Sequence, residues 1–437
     1  MTRRDIRRGT TLTMLFSVCI CTLIIITLWR HPGAVKAQPS IQQAAITAGR
    51  LWSDTLTNVS SAYAPLQAMD REIERFLDKW DIKGVSLAVT RNDSLLYAKG
   101  YGWADREEGR RMEATTIMRM ASASKLVTAI AVMKLCEEGR LSLQSRVFGP
   151  EGILNDSSYT SAMCDPRMLD ITVDHLLLHQ GGFGRGAGDP MFTTREIMAA
   201  KRLDTPPTPE ELIRIVLGRR IAFTPGAGRI YSNFGYMVLS MVIERITGRS
   251  YWEYVTDNIL KPAGCHGFRP ATNYYAERSE HEARYYGPDN EQVEEFNGSG
   301  RLVDRVYGGS DVRALKGGGG WCASAADIAR LIASVDGCPV VDNILNPTSL
   351  NTLTAYGNDD HKLARGWTES DGRGRWTRTG TLSSTHALVE HFPDGECWVI
   401  LTNSGVWTGY HFSRELQRLV ERFRSRYSTT LPTRNLF

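Results

Sequence analysis

The sequence predicts an α+β fold, in which strands from both ends of the chain form one antiparallel sheet with flanking helices. Two strands are expected at 85–90 and 95–101, and a second hairpin at 387–392 and 397–402. Between these hairpins the apolar residues recur mainly at helical spacing, which predicts an inserted all-helical lobe. No linker or internal repeat interrupts the pattern, so we expect one interlocked unit with a cleft between two lobes.

Each element follows from a local pattern. Apolar residues three and four apart predict a first helix over 66–82 and a last helix over 411–424. Turn residues at 92–93 and 393–395 close the two hairpins. The remaining helices are predicted at 122–139, 173–179, 208–217, 231–247, 252–260 and 324–335.

The first 37 residues have the pattern of an export leader. Four arginines occur within the first eight residues, and residues 11–29 form an uncharged, largely apolar run. The leader is either cleaved after Ala37 as a signal peptide or retained as a single N-terminal membrane anchor. We expect a periplasmic or otherwise extracytoplasmic protein that contacts the membrane only through residues 11–29.

The leader also fixes the domain boundaries and explains the net charge. We predict a polar spacer at 38–65, a folded domain at 66–425 and a tail at 426–437. Residues 1–37 hold six Lys/Arg and one Asp, so the rest of a chain with net charge +4 carries −1. That balance, without a basic stripe, argues against nucleic-acid binding.

Six of the eight cysteines lie outside the apolar run. Export permits disulfides, and Cys322 and Cys338 flank a short predicted helix, which makes them the first candidates for a pair. Free buried cysteines are the alternative. No Cys/His cluster has metal-ligand spacing, so we expect no metal and no cofactor.

Ser122-Ala-Ser-Lys125 is the only Ser-x-x-Lys in the chain and opens the helix predicted at 122–139. Residues three apart share a helix face, so the Lys125 ammonium can reach the Ser122 hydroxyl. A serine needs such a base, and a lysine in an apolar site near other cations can lose its proton near neutral pH. An amphipathic helix with a polar first turn would show the same four residues.

A second motif, Tyr231-Ser-Asn233, is predicted to open the helix at 231–247. A phenol beside a lysine can relay protons, and the asparagine amide can orient both the lysine and a substrate. A tyrosine packed in the core is the alternative. The other Tyr-x-Asn begins at Tyr356, in a predicted loop with two aspartates, so we prefer Tyr231.

The third motif is Arg378-Thr379-Gly380, expected on an edge strand beside the cleft. The guanidinium would bind a substrate carboxylate, the glycine would allow close backbone approach, and the N–H of Thr381 would face an oxyanion. Two alternatives stay open. Either Arg378 is a surface arginine without a role in the site, or its charge lowers the pKa of Lys125 or Tyr231.

In this order the three motifs resemble those of the penicillin-recognising serine hydrolases related to class C β-lactamases. Family VIII esterases, D-aminopeptidases and D,D-peptidases share that pattern. The likeness covers about 66–425, and further similar segments lie at 84–89, 100–105, 171–182, 261–264, 319–327 and 393–395. The resemblance implies a β-lactamase/transpeptidase-like fold.

The resemblance also implies roles. Ser122 would be the acylated nucleophile, with Lys125 and Tyr231 sharing the work of a general base. Asn233 would orient the substrate, and the N–H groups of Ser122 and Thr381 would form the oxyanion hole. The family's third motif usually opens with Lys or His; an arginine there keeps carboxylate binding better than proton transfer.

We therefore expect an exported serine hydrolase that cleaves an ester or amide bond through an acyl-enzyme. Its substrate would be a small molecule or peptide of the D-amino-acid or β-lactam type, peptidoglycan fragments included. The alternative is a membrane-tethered sensor that acylates slowly or not at all. A metalloprotease is unsupported because no H-E-x-x-H occurs, and an α/β-hydrolase because no G-x-S-x-G occurs.

Overall fold

A computed structural model describes residues 55–184, 188–289, 291–356 and 362–437. The predicted leader, its apolar run at 11–29 and most of the predicted spacer lie outside these residues. Within the described ranges, no helix is both long enough and apolar enough to cross a membrane.

The central element is a seven-stranded antiparallel sheet, which confirms the predicted α+β class. Its strands follow the spatial order β3-β2-β1-β12-β11-β10-β9, so the N-terminal hairpin pairs directly with the C-terminal one. The strands are β1 (Gly84–Arg91), β2 (Ser94–Asp105), β3 (Arg110–Arg111), β9 (Glu369–Ser370), β10 (Trp376–Leu382), β11 (Thr385–His391) and β12 (Glu396–Thr402).

Two smaller sheets complete the strand inventory of the described residues. One has the order β4-β8-β5 and lies beside the Ser122 turn, and the other is the hairpin of β6 and β7. Their bounds are β4 (Met118–Arg119), β5 (Arg269–Pro270), β6 (Gln292–Glu294), β7 (Leu302–Asp304) and β8 (Trp321–Ala323).

Two amphipathic helices cover one face of the large sheet. Helix α1 (Gln67–Trp80) buries Met69, Ile73 and Phe76, which are spaced to share one side of the helix. Phe76 packs on Phe412, where the last helix begins. These residues belong to one apolar cluster with the strands beneath them.

The opposite face carries the larger core and the helices of the inserted lobe. The helix of the Ser-x-x-Lys motif, α2 (Ser124–Glu137), is buried on almost every side. The other helices are α3 (Ser157–Ala162), α4 (Val173–Leu177), α5 (Thr194–Lys201), α6 (Pro209–Leu217), α7 (Asn233–Thr247), α8 (Tyr251–Val255), α9 (Ala325–Ala333), α10 (Pro347–Thr354) and α11 (Phe412–Tyr427).

Residues of the expected spacer and of the expected tail both pack on the domain between them. Part of the expected spacer packs on the domain: Asn58 Nδ2 donates to the carbonyls of Gly100 and Met112 at 3.1 and 2.8 Å. The expected tail also packs on the sheet, where the N–H of Leu436 donates to the carbonyl of Leu95 at 2.8 Å. Both segments also place apolar side chains on the core, Leu56 from the expected spacer and Leu431 from the expected tail.

The cysteines match the alternative expectation, in which they are free and not paired in disulfides. All six that the structure describes are free, including Cys322 and Cys338. Cys322 is buried in β8, where its thiol donates to Glu282 Oε1 at 3.7 Å. The proposed Cys322–Cys338 pair is therefore absent from the described part of the chain.

Candidate active site

Ser122 lies in a single 3-10 turn, Ala121–Ala123, that leads into α2. The residue before it, Ala121, has a φ of 48°, a left-handed conformation that costs free energy for any residue with a side chain. Strand β10 presses against this turn: a Cβ on Gly380 would lie 2.6 Å from the Met120 carbonyl oxygen and 3.1 Å from the Ser122 nitrogen. The glycine is thus required by the close approach that the sequence predicted.

Lys125 is fully buried one turn after Ser122. Its Nζ lies 3.4 Å from Ser122 Oγ, 2.6 Å from Asn233 Oδ1 and 2.5 Å from the Gly318 carbonyl oxygen. Burial is the main cause that lowers the pKa of Lys125 to about 8, and the nearby Arg378 guanidinium lowers it further. Part of the lysine population is therefore neutral near physiological pH.

Tyr231 also reaches the serine, although it precedes α7 and does not open the helix as predicted. Its phenolic oxygen lies 2.8 Å from Ser122 Oγ and 2.8 Å from Arg378 Nη2. Burial of this oxygen disfavours the phenolate, but the charges of Arg378 and Lys125 outweigh it and lower the pKa of Tyr231 to about 8. The residue as a whole is 45% exposed, so one side of the ring remains open to solvent.

Arg378 corrects one sequence expectation. Only 1% of the residue is exposed, and the guanidinium points inward, away from the open position expected for a carboxylate ligand. Nε donates to the Ser122 carbonyl at 2.8 Å, and Nη2 donates to Tyr231 Oη. The guanidinium is therefore committed to Ser122 and Tyr231, which matches the alternative in which Arg378 lowers the pKa of Lys125 and Tyr231.

The other two predicted residues of this strand, Thr379 and Thr381, contact different parts of the structure. The Thr379 N–H donates to Thr368 Oγ1 at 3.1 Å. Thr381 pairs with His386 across β10 and β11, and it lines the adjoining cleft. Tyr356, the tyrosine of the rejected motif, is 47% exposed, and its Asn358 lies outside the described residues.

Asn233 is held by an aspartate that sequence reasoning missed. Asp189 Oδ2 accepts the backbone N–H of Asn233 at 2.5 Å and its side-chain amide at 3.2 Å. This fixes the amide so that its oxygen faces Lys125. No motif marks Asp189; its only local signal is the Asp-Pro pair at the start of a short turn.

His179 and Gly318 were also missed as site residues. The His179 ring packs 4.3 Å from the Tyr231 ring, and its Nδ1 accepts the Ser232 N–H at 3.2 Å. Burial and the charges of Lys125 and Arg378 hold the pKa of His179 well below its usual value, so the ring stays neutral. Gly318 belongs to a run of four glycines, and that run was the available signal for a close backbone approach.

A cleft of about 620 Å³ adjoins this site past Thr381. Its walls come from residues within 191–196, 288–289, 291–296 and 305–312, together with Arg119 and residues within 381–386 and 405–409. Both apolar and charged side chains line it. Within the described ranges, no cluster of His, Cys, Asp or Glu is suited to hold a metal ion.

A buried lysine, a tyrosine with a lowered pKa and a serine at a strained turn define a serine-hydrolase type of site. The Beta-lactamase family model matches residues 69–420, so the chain belongs to this β-lactamase-like family of serine hydrolases. The family resemblance predicted from the motifs is thereby confirmed.

The individual proteins that this chain resembles share 30% or less of its sequence over the aligned residues. Protein flp of Staphylococcus aureus (strain MW2) is 30% identical over 225 residues, which cover 50% of this chain and 41% of flp. The octameric penicillin-binding protein homologue from Pyrococcus abyssi is similar in fold, with a TM-score of 0.60, 23% identity and coverage of 78% and 73% of the two chains. The D-amino acid amidase from Ochrobactrum anthropi SV3 gives 0.61 at 18% identity, covering 82% and 99%. At these identities the structures show the shared fold alone.

Proposed function

We propose that this chain is an exported serine hydrolase that cleaves an ester or amide bond through an acyl-enzyme on Ser122. One observation carries the proposal: Ser122 Oγ lies within 2.8 Å of Tyr231 Oη and 3.4 Å of Lys125 Nζ. Both neighbours have a pKa of about 8. Such groups are well matched to proton transfer near neutral pH.

In the acylation step, the deprotonated Tyr231 accepts the hydroxyl proton of Ser122 while Oγ bonds to the substrate carbonyl carbon. The carbonyl π electrons move to the oxygen, next to the N–H groups of Ser122 and Thr381 that the family resemblance assigns to an oxyanion hole. When the tetrahedral adduct collapses, the bond to the leaving alcohol or amine breaks. The leaving group takes the proton from Tyr231, and an ester of Ser122 remains.

Deacylation repeats these steps with water. Tyr231 or Lys125 accepts a proton from the water as its oxygen bonds to the acyl carbon. Collapse then releases the carboxylic acid and returns a proton to Ser122 Oγ. Lys125, fixed by Asn233 Oδ1 and the Gly318 carbonyl, supplies the positive charge that keeps the phenolate accessible.

Covalent labelling tests the nucleophile. A fluorophosphonate should label the wild type at Ser122, and Ser122→Ala should abolish the label and lower p-nitrophenyl ester hydrolysis at least about a thousandfold. Ser124→Ala is the matched control, because Ser124 Oγ accepts the Trp321 N–H and faces the core. Full turnover by a folded Ser122→Ala variant would eliminate the mechanism.

Turnover separates the hydrolase from the slow sensor. A hydrolase releases p-nitrophenol steadily for many cycles, whereas a sensor stops after one equivalent and stays acylated. Intact-mass measurement during the reaction detects the acylated form directly.

Export rests on the pattern of residues 1–37 and is tested by fusion. Residues 1–60 joined to an alkaline phosphatase that is active only outside the cytoplasm should give active reporter. Replacing the four arginines before residue 10 by asparagine should reduce that activity or invert the orientation. An inactive reporter with the natural leader would contradict export.

A further inference from the structure

The cations around the cleft are already committed to partners within the protein. Arg378 donates to Tyr231 Oη and to the Ser122 carbonyl, as described above. Arg119, buried in the cleft wall, donates through Nη1 and Nη2 to the carbonyls of Val306 and Thr272 at 3.0 and 2.8 Å, while its Nε has no hydrogen-bond partner among the described residues. An anionic substrate would have to compete with these internal acceptors.

The two arginines on the cleft rim are committed to carboxylates. Arg195 Nη1 lies 2.8 Å from Glu294 Oε2, and Arg305 contacts both oxygens of Glu291, with Nε 2.6 Å from Oε2. A bidentate guanidinium–carboxylate pair leaves little positive potential for a third group.

Two further acids line the same cleft without contacting a cation. Glu196 is exposed, and neither Glu196 nor Asp289 has an ion pair of 4 Å or less with any residue the structure describes. Asp289 raises the pKa of Arg305 from a distance, behind the stronger effect of Glu291. The rim is therefore acidic once its internal pairs are formed.

Apolar side chains supply the remaining walls. Met191, Phe192 and Phe296 lie on the side of the inserted loops, and Leu382 and Val406 lie on the side of the sheet. In a cleft of about 620 Å³ these surfaces can take an acyl chain or an aromatic alcohol much larger than an acetyl group.

We propose that the Ser122 site selects uncharged esters and amides, and that it disfavours substrates with a carboxylate on either side of the scissile bond. The inference rests on the proposed function and narrows its substrate class. A carboxylate would have to compete with the internal acceptors of Arg119, Arg195 and Arg305, and it would face Glu196 and Asp289. Like charges placed together are a recognised means of rejecting a ligand.

Matched ester pairs test this directly. On the acyl side, mono-p-nitrophenyl suberate is compared with its methyl ester; on the leaving-group side, 3-carboxyphenyl butyrate is compared with its methyl ester. Each kcat/KM is divided by the rate of hydroxide-catalysed hydrolysis of the same ester, which removes intrinsic reactivity. At pH 8 and low salt, we expect the uncharged member to be favoured at least about tenfold in both pairs, with the preference shrinking as salt is added.

Charge-neutralising variants identify the source of the preference. The double variant Glu196→Gln/Asp289→Asn should bring the ratio within each pair closer to one. Glu74→Gln is the control for net charge, because Glu74 is exposed on α1 and does not line the cleft. It should leave the ratio as in the wild type.

Several outcomes would overturn the inference, and they are separable from failure of the proposed function. A carboxylate ester that matches or exceeds its methyl ester in either pair would overturn the charge selection. So would a protein that a fluorophosphonate labels at Ser122 but that hydrolyses neither member. The fluorophosphonate carries no carboxylate, so charge selection does not affect its reaction. A wild-type protein that it fails to label would therefore refute the assignment of Ser122 as the nucleophile and not the charge selection.

Discussion

Two buried arginines, Arg378 and Arg119, each pack against a tyrosine, and the pKa values of the two tyrosines are shifted in opposite directions. Arg378 donates to the phenolic oxygen of Tyr231, whose pKa is lowered to about 8. The guanidinium of Arg119 lies over the face of the Tyr285 ring, 4.3 Å from its centroid. The pKa of Tyr285 is nevertheless raised well above its usual value.

The difference lies in what touches each phenolic oxygen. Tyr285 Oη is buried and donates to Glu282 Oε1 at 2.7 Å, so burial raises its pKa most and the carboxylate adds to that. Tyr231 Oη faces a guanidinium and a serine hydroxyl, and it has no carboxylate partner among the described residues. A cation over the ring face stabilises packing, whereas a cation at the oxygen stabilises the phenolate.

A buried arginine beside a tyrosine therefore does not by itself lower the pKa of the phenol. Both arginines are at most 2% exposed, and both tyrosines pack against them. Of the two pairs, only the one with Arg378 joins the guanidinium to a phenolic oxygen within hydrogen-bond distance of the Ser122 hydroxyl. The other pair holds the cleft wall together through the Val306 and Thr272 carbonyls.

The largest expected effect is on the two tyrosines. Tyr231→Phe removes the proton acceptor and should lower kcat/KM for a neutral ester by about a hundred- to ten-thousandfold, the usual contribution of a general base. Tyr285→Phe leaves Ser122 and its neighbours in place, so its loss should appear mainly in the thermal midpoint. Single-turnover acylation and thermal unfolding, measured on both variants, separate the two effects.

Tyr356→Phe is the control for the alternative Tyr-x-Asn motif. Tyr356 is exposed and makes no hydrogen bond to Ser122, so its variant should acylate at the wild-type rate. A greater loss at Tyr356 than at Tyr231 would show that the wrong motif was chosen. Equal acylation defects in Tyr231→Phe and Tyr285→Phe would contradict the contrast between the two pairs.

The sheet was predictable because its patterns are local. The hairpins around 92–93 and 393–395 carry turn residues, and α1 shows one apolar side, so bounds shift by only a few residues. Helix α2 shows no such side, because it is buried all round. It was found through its motif. The packing of residues 55–65 and of Leu436 could not be predicted, because these segments place only isolated apolar side chains on the core, without a helical or strand period.

Residues of the site could be predicted only where they belong to a recognised sequence motif. Ser122 and Lys125 come together with Tyr231 and Asn233 as expected, although the two motifs are more than 100 positions apart in the chain. The orientation of the Arg378 side chain could not be predicted. An arginine at the same strand position can point its guanidinium either towards a substrate or into the protein. Asp189 and His179 act through neighbours that only the fold brings to them.

The second prediction concerns pH and distinguishes the two arginines. The guanidinium of Arg378 favours the Tyr231 phenolate and disfavours the Lys125 ammonium, so it lowers the pKa of both groups. Arg378→Met removes that charge, and both pKa values should rise. The pH profile of kcat/KM for a neutral ester, expected to rise with an apparent pKa near 8 in the wild type, should move upward by about one unit or more.

Arg119→Met should act on stability instead. It removes two charge-assisted hydrogen bonds to the Val306 and Thr272 carbonyls, worth about 1.5–3 kcal/mol each in comparable sites, and should lower the free energy of unfolding accordingly. The midpoint of the pH profile should stay in place, because this guanidinium lies against a ring face and away from Tyr231.

Arg378→Lys, which keeps a cation, should leave the midpoint of the pH profile close to that of the wild type. If Arg378→Met instead impaired only carboxylate-bearing substrates and left the pH midpoint unchanged, Arg378 would be a substrate ligand after all, and the contrast between the two arginines would fail.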